Sequence, residues 1–135
     1  MPDADDRAFE APAANPHAHT RASGHFTVVE VAGEIDLASA GFLVEHLDAA
    51  TAGPEPDVLV DLRRVDFFDC SGLRVLCRAE TRARQRGGRL RLVSDRPRIH
   101  QLLRASGLLG RFPPLPDVPA EKEAVEKGPV AKEDE

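Results

Sequence analysis

Val65-Asp66-Phe67-Phe68-Asp69-Cys70-Ser71-Gly72-Leu73-Arg74-Val75-Leu76 joins two unlike patterns. Before it stands an apolar run, Val58-Leu59-Val60-Asp61-Leu62; after it a helix-period run continues to about Arg86. A strand therefore leads through a short acidic turn into a helix, with Ser71 at the helix's first position. There a side-chain oxygen can cap free backbone N–H groups. The helix dipole also favours negative charge at that end, phosphate included. Asp69 stands two residues ahead of the serine. A hydroxyl held at a helix start beside carboxylates has the makings of a charge switch.

Downstream, Gly72, Leu76, Ala79 and Ala83 share one helix face, with Leu73 and Val75 flanking, while Arg74, Arg78, Arg82 and Gln85 share the other. Glu80 and Arg84 form a well-oriented i,i+4 pair. Gly87-Gly88 ends the helix, and Arg89-Leu90-Arg91-Leu92-Val93 alternates as a half-buried strand. Ser94 or Asp95 caps a third helix with Pro97 in its first turn, Ile99, Leu102 and Leu103 inward, and Gly107 closing it. Leu108, Leu109 and Phe112 add a last apolar segment.

Upstream, residues 26–32 have strong β composition, and Gly33 suggests a bend or bulge. From residue 37 to 50 the pattern is helical, with Ala40, Leu43, Val44, Leu47 and Ala50 on one face and Asp36 or Ser39 as cap. Residues 57–62 suit a central strand. The order β, α, β, α, β, α predicts an α/β layer fold. One domain is expected over residues 23–113. Residues 1–22 read as a disordered arm, with a weak edge strand near residues 17–21, and residues 114–135 as a disordered acidic tail.

A chain of 135 residues holds a modest core, here poor in aromatics: six Phe, no Trp, no Tyr. The net charge of −5 argues against generic nucleic-acid binding. That figure hides an Arg-rich middle, since Lys122, Lys127 and Lys132, the only lysines, lie in the tail. Cys70 and Cys77 are two helical turns apart and cannot bridge, which suits reduced thiols in a cytoplasmic protein. No apolar run reaches membrane-spanning length, and the acidic start is not read as a secretory signal. His17 and His19 lack a third ligand for a metal, and His46 and His100 read as surface residues. There is no phosphate-binding G-x-x-x-x-G-K-[ST] loop and no G-x-S-x-G elbow, so no catalytic residue and no cofactor is expected. The arginines 74, 78 and 82 read as a solvated helix face, or as part of a partner contact.

Gly33-Glu34-Ile35-Asp36-Leu37-Ala38-Ser39, then Val58-Leu59-Val60-Asp61, then Asp69-Cys70-Ser71-Gly72-Leu73 occur in an order that resembles the STAS domain family. The bacterial anti-sigma factor antagonists are the members it resembles most. The resemblance implies a four- to five-stranded mixed sheet packed against three or four helices. It implies a binding module whose partner is an anti-sigma factor that is also a serine kinase with a histidine-kinase-like ATPase fold. Binding would free a sigma factor. Phosphorylation of Ser71 would end the binding, and a phosphatase of the PP2C type would restore it. Glu34, Asp36, Asp69, Gly72 and Arg74 are then the expected partner-binding residues, with no direct nucleic-acid contact and no membrane. The alternative is a STAS module that is never phosphorylated and serves as a scaffold or transporter accessory. Three positions depart from the family pattern: Cys70 stands where Ser, Thr or Ala is common, Phe68 where an aliphatic is usual, and Gly41 where Pro is often seen.

Overall fold

In the computed structural model, which describes residues 11–119, the β-branched runs pair into one mixed sheet of order β1-β2-β3-β4. β1 (Ala18–Ser23) and β2 (Phe26–Ile35) form an antiparallel hairpin; β3 (Asp57–Phe68) and β4 (Arg89–Val93) add in parallel. The links carry α1 (Ala40–Ala50) between β2 and β3, α2 (Cys70–Gln85) between β3 and β4, and α3 (Pro97–Ala105) after β4. Four strands and three helices among the described residues match the expected architecture.

Alternation along the strands sorts the core into two parts. Val29, Val31, Val58, Val60, Leu90 and Leu92 face the helices and pack with Leu43, Leu47, Leu76, Ala79 and Leu103. The intervening Val28, Leu59 and Val93 face the other way, away from α1, α2 and α3. That face is covered by the chain itself. Leu115 N–H donates to Leu92 O at 2.9 Å and Ser94 N–H to Leu115 O at 2.8 Å, so Leu115 bridges in parallel to Val93. Val118 then buries completely against the same valines. Residues 114–119, expected to be part of a disordered tail, are thus packed. Residues 1–10 and 120–135 lie outside the described residues.

Other expectations change in ways that have physical causes. The edge strand hinted at near residues 17–21 is a full six-residue strand, held by six register partners on β2. β3 continues six residues past Leu62, through what reads in sequence as an acidic turn, because β2 also continues and pairs Ile35 with Phe68. Gly33, at φ +80°, takes up one of two register shifts along this pairing, as its bend signal suggested. α1 begins at Ala40 rather than Leu37. Neither Ser94 nor Asp95 is the α3 N-cap; that position is Arg96, whose N–H donates to the Ser94 hydroxyl at 3.1 Å. His46 is not a surface residue but is fully buried.

On the face turned away from α1, α2 and α3, Asp61 is buried and held by Nε and Nη2 of the Arg63 guanidinium, at 2.9 Å and 2.8 Å. Burial pushes its carboxyl pKa up, but the hydrogen bonds and charge of Arg63 outweigh this, and the net shift is downward. A lowered folded-state pKa means stability that is present above the unfolded value and lost as pH falls through the folded one. Asp61→Asn is therefore expected to lower the urea midpoint at neutral pH while flattening its decline in acid. Midpoints measured from neutral to strongly acidic pH check this; an acid slope unchanged by the substitution would contradict it.

Candidate functional site

β2 and β3 run parallel and both end at one edge of the sheet, with Ile35 opposite Phe68. The turns that leave them open on the two aspartates that stood out in sequence, Asp36 and Asp69. The turns are tied together: Asp69 N–H donates to Ile35 O at 3.2 Å.

Asp36 organises the first turn. Its Oδ1 accepts N–H groups from Ala38 at 3.0 Å and Ser39 at 3.1 Å. The Ser39 hydroxyl accepts Asp36 N–H at 2.9 Å and donates to Glu34 O at 2.7 Å. Hydrogen bonds from the Ser39 backbone and side chain hold the Asp36 carboxyl below its ordinary pKa, so it is an anion at neutral pH. Ser39 is the formal N-cap of α1 but makes no side-chain cap bond of its own.

Asp69 is the N-cap of α2, in extended conformation, and its Oδ1 accepts Ser71 N–H at 2.8 Å. This corrects the expected geometry. Ser71 is the second helical residue, not the first, and it receives a cap rather than supplying one. A carboxylate one residue before the helix reaches the amide of the second residue, so Asp69 takes the capping role. The Ser71 hydroxyl is consequently left over. It is half-buried and makes no hydrogen bond among the described residues. Asp69→Ala is expected to cost about 1 kcal/mol through the lost cap, with Asp69→Asn nearly neutral; urea midpoints of the two variants check it.

Gly72, expected at the partner surface, is buried instead. A Cβ there would sit 2.5–2.8 Å from three ring atoms of Phe68. The bulky Phe68 and the bare Gly72 are two halves of one packing arrangement, and the glycine's demonstrable task is to admit the ring. Arg74 is exposed and has no carboxylate partner among the described residues. The rest of the arginine stripe is occupied: Arg78 pairs with Asp48 at 2.7 Å, and Arg82 donates to Thr51 Oγ1 at 3.1 Å. Glu34 is exposed at the end of β2, opposite Phe67. The sheet end thus assembles Glu34, Asp36, Asp69 and Ser71, with Arg74 one turn along α2.

Sequence reasoning missed the apolar part of this surface. Leu37 is 82% exposed and Phe67 47% exposed, both flanking the aspartates. The signal was available in Phe67-Phe68, since neighbouring residues of a strand face opposite ways and only one could join the core. Among the described residues no group of three metal-binding side chains occurs, and no helix is long and apolar enough to cross a membrane.

Comparison with known proteins agrees with this architecture. The family model described as "Mlab, STAS domain" matches residues 18–115. The anti-sigma-F factor antagonist RsfA of Mycobacterium tuberculosis is 36% identical over 83 residues, which cover 59% of this chain and 64% of that protein, just under two-thirds of its length. Among solved structures, an anti-sigma factor antagonist from Mycobacterium paratuberculosis superposes with a TM-score of 0.69 at 24% identity, over 84% of this chain and 99% of the other. The anti-sigma factor antagonist SpoIIAA superposes in its unphosphorylated form with a TM-score of 0.63 at 21% identity, over 84% and 98% of the two chains. Its phosphorylated form gives 0.61 at 20% identity, over 82% and 98%. These structural likenesses are likenesses of fold. With the family model spanning the whole sheet and all three helices, this chain belongs to the STAS domain family.

Proposed function

We propose that this protein is an anti-sigma factor antagonist acting in the cytoplasm by binding rather than by catalysis. Its partner is an anti-sigma factor with a histidine-kinase-like ATPase fold, and occupying that partner frees a sigma factor. Phosphorylation of Ser71 by the same partner ends the binding, and a PP2C-type phosphatase reverses it. The observation that carries the reading is the unengaged Ser71 hydroxyl, two residues after the capping Asp69, at the sheet end that also carries Asp36 and the exposed Leu37 and Phe67. The naming of RsfA as an anti-sigma-F factor antagonist supports it, as does the occurrence of SpoIIAA in a phosphorylated form.

The physics of the switch follows from the cap. A phosphate would bring about −1.5 to −2 charges at neutral pH. The helix N-terminus tolerates some of that, but Asp69 already occupies the Ser71 amide. Phosphate would therefore stand beside a carboxylate on a contact surface, where repulsion, desolvation and bulk oppose the partner without refolding the domain. A hundredfold weakening needs only about 2.8 kcal/mol.

Two measurements test the reading. Incubation with the partner and ATP should add one phosphate by intact mass to the wild-type chain and none to Ser71→Ala. Calorimetric titration should give tight binding for Ser71→Ala and roughly hundredfold weaker binding for Ser71→Asp. Equal binding by both variants would defeat the switch. Unmodified Ser71 with tight binding retained would favour the scaffold alternative.

A further inference from the structure

β3 outruns β4. Their pairing ends at Asp61 opposite Val93, so residues 62–68 have a strand neighbour only on the β2 side. The chain leaving β4 turns into α3, and between residues 65–68 and residues 96–99 it leaves a cleft of about 500 Å³. That volume falls in the usual range for small-molecule sites, roughly 300–1,000 Å³. The walls are largely apolar: Val65, Phe68 and Ile99 are buried, and Pro97 and the half-exposed Phe67 complete them.

The charged groups at the cleft are few and mostly cationic. Two arginines, Arg96 and Arg98, against one acid, Asp66, give the lining a net charge of +1. Neither arginine has a carboxylate partner among the described residues. Arg96 Nε–H donates to the Arg63 carbonyl at 2.9 Å, and the Arg96 Nη groups have no acceptor among the described residues. The main-chain N–H of Arg98, in the first turn of α3, is also without one, since the N-cap Arg96 makes no side-chain cap bond.

An added strand fits this edge poorly. Both main-chain groups of Arg63 are already taken, the N–H by Asp61 Oδ1 at 3.1 Å and the carbonyl by Arg96. A peptide extending the sheet from residue 63 would have to break these bonds, whereas a small molecule seated between residues 65–68 and 96–99 breaks neither. A guanidinium pairs well with a planar carboxylate, and Asp66 opposes a second negative charge.

We propose that the cleft between the free edge of β3 and the start of α3 binds a small organic monoanion, a carboxylate carried on an aryl or short alkyl body. The body lies against Val65, Phe67 and Ile99. The carboxylate meets the Arg98 guanidinium and the Nη groups of Arg96. Binding requires neither the anti-sigma factor nor phosphorylation of Ser71.

The probe that tests this is hydrocinnamate, which carries both halves of that chemistry. Amide NMR spectra of the full chain should show saturable shifts at residues 65–68 and 96–99, with β1 unmoved and a Kd of about 1 mM or tighter. Hydrocinnamyl alcohol keeps the body without the charge, and acetate keeps the charge without the body. Each should bind at least about tenfold more weakly, and Arg98→Glu should weaken hydrocinnamate by a similar factor. Arg98 is exposed, so this variant keeps the fold. Cleft amides unmoved by hydrocinnamate, or shifts spread evenly over the domain, overturn the proposal. So does equal binding of the alcohol or of acetate, and so does hydrocinnamate binding unchanged by Arg98→Glu.

Discussion

Gly88→Ala is expected to be the most damaging single-methyl substitution in this protein. The added Cβ would fall on the carbonyl oxygen of Pro56 and lie 2.5 Å from the Pro56 nitrogen. Both are backbone atoms, and neither can yield cheaply. Arg89 N–H donates to Pro56 O at 2.7 Å, opening the β3–β4 ladder, and Gly88 N–H donates to Ala83 O at 2.8 Å, closing α2. Moving either segment breaks one of these bonds. Overpacking typically costs 1–3 kcal/mol, and a rigid backbone contact puts this case at about 3 kcal/mol or more. That is a large share of the 5–15 kcal/mol common for a domain. Gly41→Ala supplies the control. It lies in α1 with nothing within 4 Å of the new Cβ, so the same change should stabilise by about 0.5–1 kcal/mol through helix propensity. Urea midpoints moving in opposite directions are the expected result; a Gly88→Ala midpoint equal to wild type would contradict the close approach.

The second large effect is expected at His46. Its ring is fully buried between α1, β1 and the segment before β1. Nε2 lies 3.1 Å from Ala13 O, and Nδ1 lies 2.6 Å from Thr20 Oγ1. A carbonyl can only accept, so Nε2 is assigned as the donor to Ala13, and Nδ1 pairs with the Thr20 hydroxyl; the ring has a partner at both ends. His46→Ala opens a cavity and strands two polar partners, for a cost of about 3 kcal/mol. The loss should be local as well as global. The segment it anchors also places Asn15 Nδ2 on Phe42 O at 3.1 Å and His17 Nδ1 on Ala32 O at 3.1 Å. Amide exchange in residues 15–20 should therefore accelerate more than in α2. Thr20→Val should reproduce part of the effect, because it leaves Nδ1 unpaired while keeping the ring. Full stability in His46→Ala would show that the buried ring contributes nothing net.

These two sites also mark where sequence reading succeeds and where it stops. Gly87-Gly88 was recognisable as the end of α2, and the Asp-x-Ser-Gly-Leu start was recognisable as a strand-to-helix turn. Periodicity and glycine punctuation report local geometry, and both places are local. His46 was misplaced because its partner Thr20 lies on a strand 26 residues away, in a stretch that looked disordered. Its position between Leu43 and Leu47 on α1 was a helical-face clue overridden by residue type. β3 was cut short because Arg63, Arg64 and Asp66 look like a turn. They are tolerated in a strand here since β4 has already ended and those side chains need not be enclosed. At the site, the sequence pattern puts Ser71 at the helix's first position, whereas the helix starts at Cys70; the reach of the Asp69 carboxylate decides it, and with it the freedom of the Ser71 hydroxyl. Leu115 and Val118 carry no periodic signal among prolines, and only the bare second face of the sheet gives them a reason to pack.

That second face bears on how the protein is handled at the bench. A shortened version ending at residue 113, trimmed to remove the proline- and charge-rich end, would strip Leu115 and Val118 from Val28, Leu59 and Val93 and leave a sticky aliphatic stripe open to water. Such a version would clump in solution with its Ser71 end intact, and a failed binding assay on it would report the missing cover rather than the switch.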